Sequence, residues 1–387
     1  MKTVRDACQL QPNALAVKLS DQIEQLDELI SAEGNGTAFF ERTFITQGMK
    51  DLITEGIARL AGASSQAVFH LKQAMGGGKT HLLVGFGLLA RHESLRAKYC
   101  AGMAHASGFQ GAAIAAFNGR NNPDQFFWGE IASQLNKGEQ FRSFWTGGPK
   151  APDEKDWLKL FEGDEPVLIL LDELPPYFHY LDTQKVGNGT VADIATRAFA
   201  NLLTAAGKKK NVCIVASDLA AAYDTGGKLI NKALQDARAE LGRQERTITP
   251  VDLAANEIYD ILRKRLFTSL PDKNEIEDIA DAFGRKLEEA AKAKTANRGA
   301  EAIADEIIAT YPFHPRLKNV LTTLRTSHRI ERWTDGANFG RPFPGARVCV
   351  SSASRVRWKS CRSADKWPAS GGAARPPDTG VFVDILP

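Results

Sequence analysis

Four short, largely continuous apolar runs lie between Val68 and Asp218, each closed by polar side chains. They are Val68-Phe69-His70-Leu71, Gly111-Ala112-Ala113-Ile114-Ala115-Ala116-Phe117, Val167-Leu168-Ile169-Leu170-Leu171 and Val212-Cys213-Ile214-Val215-Ala216. A run with little alternation suits a strand buried on both faces of a parallel sheet. Helical patterns fall between the runs, from Leu82-Leu83-Val84 onward, near Gln125–Leu135 and near Val191–Ala206. Strands alternating with helices predict an α/β fold, a three-layer sandwich around a parallel sheet.

Upstream, Leu15, Val17, Leu19, Ile23, Leu26 and Leu29-Ile30 recur at helical spacing over residues 14–32, and Gly34-Asn35-Gly36 reads as the C-cap that ends this helix. A second helix is expected from Phe39 to Leu60. Downstream, residues 251–324 are helix-rich and read as a small helical lid. The expected organisation is an N-terminal helical segment at 1–62, a sheet-bearing core at 63–250, the lid at 251–324 and a tail at 325–387.

The tail changes the picture drawn by overall charge. The chain has 387 residues and a formal net charge of +3, but residues 325–387 carry 11 Lys/Arg against 5 Asp/Glu, which leaves the body at −3. The body has no basic excess of the kind that marks an electrostatic nucleic-acid footprint. Lys208-Lys209-Lys210 is a local basic run of the type usual in a solvated loop. The tail shows no sustained helical or strand period, and it holds three of the six Trp and two of the five Cys. Its wealth of Arg, Ser, Pro, Gly, Trp and Cys matches GC-rich coding DNA read out of frame, so a frameshift between Leu324 and His328 is expected to have shortened a longer protein. The alternative is a disordered basic arm that touches nucleic acid.

Elsewhere composition is that of a globular chain, 43% apolar and 25% charged. No run reaches the roughly 18 apolar residues of a membrane span, and the N-terminus has no signal-peptide apolar core, so a cytoplasmic protein without a membrane partner is expected. Cys8, Cys100, Cys213, Cys349 and Cys361 include no C-x-x-C pair, which argues against a disulfide framework and against a zinc site.

The candidate chemistry lies at the polar ends of the strands. Gln73-Ala74-Met75-Gly76-Gly77-Gly78-Lys79-Thr80-His81 follows the first run and leads into a helix, the setting of a phosphate-binding loop. Three glycines let backbone N–H groups converge on phosphate oxygens, and the helix N-terminus adds partial positive charge. Lys79 would reach the β- and γ-phosphates and Thr80 would ligate Mg²⁺. The usual first glycine, in G-x-x-x-x-G-K-[ST], is replaced by Gln73. Asp172 and Glu173 end the third run, where Asp172 would hold Mg²⁺ through water and Glu173 would act as general base on the attacking water. Ser217, or in its place Asp218, would orient that water from the fourth run. Arg246, or Arg243, is a candidate finger for a neighbouring subunit's γ-phosphate, and Arg316 a candidate lid arginine. ATP and Mg²⁺ are the cofactors these residues would take.

Phe44-Ile45-Thr46-Gln47-Gly48-Met49-Lys50, the Gln73 to His81 block with Leu71-Lys72 before it, Trp128-Gly129-Glu130-Ile131-Ala132, Leu171-Asp172-Glu173-Leu174 and Tyr311-Pro312-Phe313-His314-Pro315 together resemble a family of large AAA+-like ATPases, the domain-of-unknown-function-499 proteins. The resemblance spans Met1 to Leu324 and implies that glutamine at the first-glycine position is usual. It also implies ATP hydrolysis, assembly into a dimer or ring, and association with DNA methyltransferases, helicases or nucleases in bacterial phage defence, with DNA as a possible partner. A non-hydrolysing ATP-dependent scaffold and a P-loop kinase are the alternatives; the acidic pair closing a buried strand favours hydrolysis over the kinase.

Overall fold

The computed structural model describes residues 4–12, 14, 26, 30, 33–73, 78–121, 123–219, 228, 231–232, 245–252, 256–292 and 300–326. The tail from residue 327 onward, and with it the expectation of an irregular basic segment, lies outside the described residues. So do Ala74, Met75, Gly76, Gly77, Arg243 and the side chain of Asp218.

Five strands form one parallel sheet: β1 (Val68–Gln73), β2 (Ala113–Asn118), β3 (Val167–Asp172), β4 (Val212–Leu219) and β5 (Glu245–Ile248). Their order across the sheet is β2-β3-β4-β1-β5. β1 is therefore internal, paired with β4 from Val68↔Ile214 to Gln73↔Leu219 and with β5 from Val68↔Glu245 to Leu71↔Ile248. The four apolar runs become β1 to β4; β5, shorter and mixed in polarity, was not foreseen.

The period of two along each strand divides the core. Val167, Ile169 and Leu171 of β3 face one hydrophobic cluster with Phe117, Ile214 and Ala216. Leu168 and Leu170 face the other with Phe69, Leu71, Cys213 and Val215. All six residues of β3 are buried, as expected of a strand with helices on both faces. The first layer contains helix Phe127–Gln134, helix Glu154–Leu160, α3 (Leu174–Asp182) and α4 (Val191–Lys208); the second contains helix Glu33–Arg42, α1 (Gln47–Leu60) and α2 (Lys79–Arg91). Trp128 and Ile131 of the Trp128-to-Ala132 segment are core residues here, fully buried.

Side-chain caps explain where these helices start. Thr46 caps α1 by accepting from the Met49 N–H at 3.2 Å. Asp153 and Thr190 form capping boxes with Asp156 and Asp193, so orphan amides at both helix starts are satisfied. At the sheet edge, Gln134 does for β2 what a sixth strand would do. Its amide donates to the Ala116 carbonyl at 2.9 Å and accepts from the Ala116 N–H at 2.7 Å, which blunts an otherwise open edge.

Two expectations fail in the N-terminal segment. Gly34-Asn35-Gly36 does not end a helix; it lies inside helix Glu33–Arg42. The reason is close packing: a Cβ on Gly36 would come within 2.3 Å of Leu95 Cδ1 and 3.2 Å of Leu88 Cδ2. The single helix expected from Phe39 to Leu60 is instead two, because residues 43–46 leave the helix and Thr46, itself extended, restarts it as a cap.

The chain divides into two compact units after Leu270. The first runs from Gln9 to Leu270, so helix Glu257–Leu266, expected in the lid, belongs with the sheet. In it Gln9-Leu10 pairs antiparallel with Phe267–Ser269. The second unit joins the residues before Gln9 to those from Pro271 on. It contains α5 (Lys273–Lys292), α6 (Ala300–Thr310) and α7 (Leu317–Thr326), and Tyr311 is buried within it with its hydroxyl 3.9 Å from Cys8 Sγ. Among the described residues no helix is long and apolar enough to cross a membrane.

Candidate functional site

The C-terminal ends of β1, β3 and β4 are adjacent in the sheet, and each delivers a polar group to the same place. Parallel strands make this automatic, since all their carboxyl ends share one edge. Asp172 is the hub. It closes β3 with 1% of its surface exposed. Its Oδ2 accepts from the Thr80 hydroxyl at 2.5 Å, its Oδ1 accepts from the Ser217 hydroxyl, and Oδ1 also accepts from the Glu173 N–H at 3.0 Å. Ser217 Oγ in turn accepts from the Glu173 N–H at 3.3 Å. Residues from β3, β4 and the start of α2 thus form one hydrogen-bonded cluster.

Glu173 occupies a strained place beside it. Its φ of 52° puts a non-glycine residue in the left-handed region, at a cost of order 1–2 kcal/mol, as the strand turns sharply into α3. Strain of this kind persists where the surroundings over-determine it, commonly at functional sites. The carboxyl is raised above the ordinary glutamate range first by burial and then by the Asp172 charge, with Arg120 and Lys79 acting in the opposite direction. Its Oε2 is buried and has no hydrogen-bond partner among the described residues. A buried acceptor left unmatched costs free energy, so this atom stands ready for a donor from outside the chain.

Lys79 and Thr80 open α2, just after Gly78, whose φ of 82° needs a residue without a Cβ. Lys79 is 6% exposed, and its Nζ donates to the Gln73 carbonyl at 2.7 Å. Burial of a lysine beside a strand end facing two acids places a positive charge where an anion could be held.

Four further candidates make contacts of their own. The Gln73 side-chain amide bonds the backbone of Val251. His81 turns away from the acids: its ring stacks on Phe39 with centroids 4.3 Å apart, and Nε2 lies 2.9 Å from Thr43 Oγ1. Thr43 spends its own proton on the Phe39 carbonyl, so His81 is the donor and carries its hydrogen on Nε2. Burial, helped by Arg265, pushes its pKa down to about 4, which keeps the ring neutral. Arg246 is committed to an ion-pair cluster with Asp51 and Glu55 of α1, and its nearest carboxylates account for its position on β5. A half-exposed cluster of this sort contributes about 0.2–1 kcal/mol per pair. Replacing Arg246 by Ala is therefore expected to leave turnover per folded molecule unchanged, whereas removal of a true finger lowers it about 10³-fold or more. Steady-state hydrolysis rates separate the two. Arg316 lies in the second unit, exposed, with its N–H on His314 Nδ1 at 3.1 Å just before α7.

The structure adds Asn118 and Arg120. Asn118 closes β2 opposite Asp172 in register, is 7% exposed, and caps the following turn by accepting from the N–H groups of Arg120 and Asn121. That turn sets the Arg120 charge where it acts on Glu173. The signal was the same one that exposed Asp172 and Ser217, a polar residue at the end of an apolar run.

No cluster of three or more His, Cys, Asp or Glu side chains among the described residues could hold a metal ion by itself. One carboxylate and one hydroxyl, all oxygen, do suit Mg²⁺, which takes few protein ligands and completes its octahedron with water and phosphate. The donor set of Thr80 and Asp172 fits that ion. Residues 13–100 match the DUF499 N-terminal domain, a stretch that takes in α1, β1 and α2. No curated protein matches the sequence.

Proposed function

We propose that this chain binds ATP with Mg²⁺ at the turn from β1 into α2 and hydrolyses it, as an AAA+-like motor or switch subunit. The observation that carries the reading is the cluster of Lys79, Thr80, Asp172, Glu173 and Ser217 at one sheet edge, with the partnerless Glu173 Oε2 beside it. Strand order supports it: β4 lies between β1 and β3, as the additional strand does in ATPases of that class.

In this reading Thr80 and Asp172 hold Mg²⁺, which supplies positive charge for the phosphate oxygens. Lys79 leaves the Gln73 carbonyl for the phosphate, a charge-assisted contact stronger than the neutral one it replaces. Glu173 Oε2 accepts the proton of the attacking water, and its raised pKa makes it a better base once ionised. Ser217 fixes the Asp172 carboxylate and the Glu173 backbone together, so the two acids keep their spacing. Dimer or ring assembly, and a role beside DNA-modifying enzymes in a phage-defence system, follow from the resemblance rather than from this geometry.

The test is Mg²⁺-dependent ATP hydrolysis by the purified chain and by Lys79→Ala, each with and without double-stranded DNA. A loss of about 10²-fold or more in the variant is expected, and stimulation by DNA would tie the site to a nucleic-acid partner. Nucleotide binding without turnover would make the chain a scaffold and overturn the hydrolytic reading.

A further inference from the structure

Gln73 stands where phosphate loops usually begin with glycine, and both ends of its side-chain amide are engaged. Nε2 donates to the Val251 carbonyl at 2.9 Å while Oε1 accepts from the Val251 N–H at 3.1 Å. The amide thus pairs with one residue's backbone in both directions, as a strand neighbour would. The same residue's own carbonyl holds Lys79 Nζ at 2.7 Å. Val251 Cγ2 also lies 3.9 Å from where a Cβ on Gly78 would stand.

The segment that Gln73 grips is tied on two further sides. Thr46 Oγ1 donates to the Pro250 carbonyl at 2.7 Å, which joins the segment to the start of α1. Glu257, 9% exposed at the start of helix Glu257–Leu266, accepts from the Asp252 N–H at 2.7 Å and from the Gln47 N–H at 2.6 Å. The end of β1, the start of α1 and the helix that leads to the second unit therefore meet through residues 250–252.

We propose that Gln73 is a positioning residue: its amide latches Val251 onto the end of β1 and so fixes the carbonyl that holds Lys79. The inference rests on the reading of this site as a nucleotide site. Glycine in its place would leave both backbone groups of Val251 without these partners and would free the strand end. The same contacts aim the Gln73 amide at Val251, with one of its two Nε2 hydrogens already given to the Val251 carbonyl.

The chemistry of the amide supplies a discriminating test. Ionised glutamate can accept from the Val251 N–H but cannot donate to its carbonyl; protonated glutamate can do both. Gln73→Glu should therefore recover the latch as pH falls, and Gln73→Met should not. The charged groups around the latch are Lys79 on α2, Glu257 on its helix and Asp252 in the segment, and all are common to wild type and both variants. Ratios to wild type at each pH cancel their titration.

Full-length wild type, Gln73→Met, Gln73→Glu and Lys79→Ala would be titrated with a fluorescent ATP analogue and Mg²⁺ from pH 8 to about 5. Exchange of the Val251 amide hydrogen, corrected for its intrinsic rate, would be followed in parallel. Expected are an affinity loss of about tenfold in Gln73→Met at every pH, a loss at least as large in Gln73→Glu at pH 8, where its charge also repels phosphate, and recovery of Gln73→Glu alone in acid, with Val251 protection, which that repulsion does not set, moving in step. Wild-type affinity and Val251 protection in Gln73→Met, or acid recovery of both variants alike, would overturn the latch. If wild type and Lys79→Ala both fail to bind, the nucleotide reading falls; Val251 exchange then still decides whether Gln73 holds the segment.

Discussion

Replacing Glu173 by Gln is expected to leave nucleotide affinity nearly intact, lower turnover about 10²–10⁴-fold and raise the melting temperature at neutral pH. The first two effects follow from loss of a base whose shape is kept. The third follows from linkage. Burial and the Asp172 charge raise the folded-state pKa of Glu173 above its unfolded value. An acid raised in this way contributes stability that is complete below the ordinary glutamate pKa and is lost as pH climbs through the folded value. At neutral pH the carboxylate is ionised in a place that disfavours it, and the amide removes that cost. Rate and stability measured on one preparation check both signs; a variant that loses turnover and melts lower would mean Glu173 holds the fold rather than the reaction. Wild-type turnover should also fall on the acid limb at a pH above the ordinary carboxyl range, for the same reason.

Asp172→Ala is expected to have the largest effect on stability of any single change at the site. Its carboxylate accepts from Thr80, Ser217 and the Glu173 N–H, all at a position 1% exposed. Truncation removes an acceptor from all three donors at once. Hydroxyls can turn elsewhere, and the Glu173 N–H keeps only its longer bond to Ser217 Oγ at 3.3 Å, so a loss of about 2–4 kcal/mol is expected from the buried bonds given up. Asp172→Asn keeps one acceptor and should cost less than half as much, while abolishing turnover as thoroughly. Urea midpoints for the two variants decide it: equal losses would show that charge, not acceptor count, sets the stability of the cluster.

The sheet was legible because its strands are buried on both faces. Val167 to Leu171 has no polar residue to place in solvent, so neither its strand character nor its burial on both faces is ambiguous. Asp172 and Ser217 were legible because a polar residue at the end of such a run lies at the carboxyl end of the sheet, and Thr80 because it follows the three glycines and Lys79. What escaped depended on contacts between residues far apart in the chain. Gly36 looks like a helix stop until Leu88 and Leu95 are seen against it. The Gln73 amide has no visible partner until Val251 arrives beside it, and Arg246 looks free until Asp51 and Glu55 do. β5 escaped for a different reason, since only Ile248 of its described side chains is buried and its pattern carries little apolar signal.

The internal place of β1 also sets a timetable for the ribosome. Both of its neighbours, β4 and β5, are encoded far downstream, and nothing upstream in the sheet can pair with it. Residues 74–211 must be made before β4 exists, which at bacterial-like elongation of about 5–20 residues per second takes roughly 7–28 s. During that interval Phe69 and Leu71, later fully buried, belong to a nascent strand with two open edges. β2 and β3, which are neighbours in the sheet, can pair with each other first. The strand that precedes α2 is thus the one that must wait, and a holding chaperone that favours extended apolar segments has its natural target at residues 67–71.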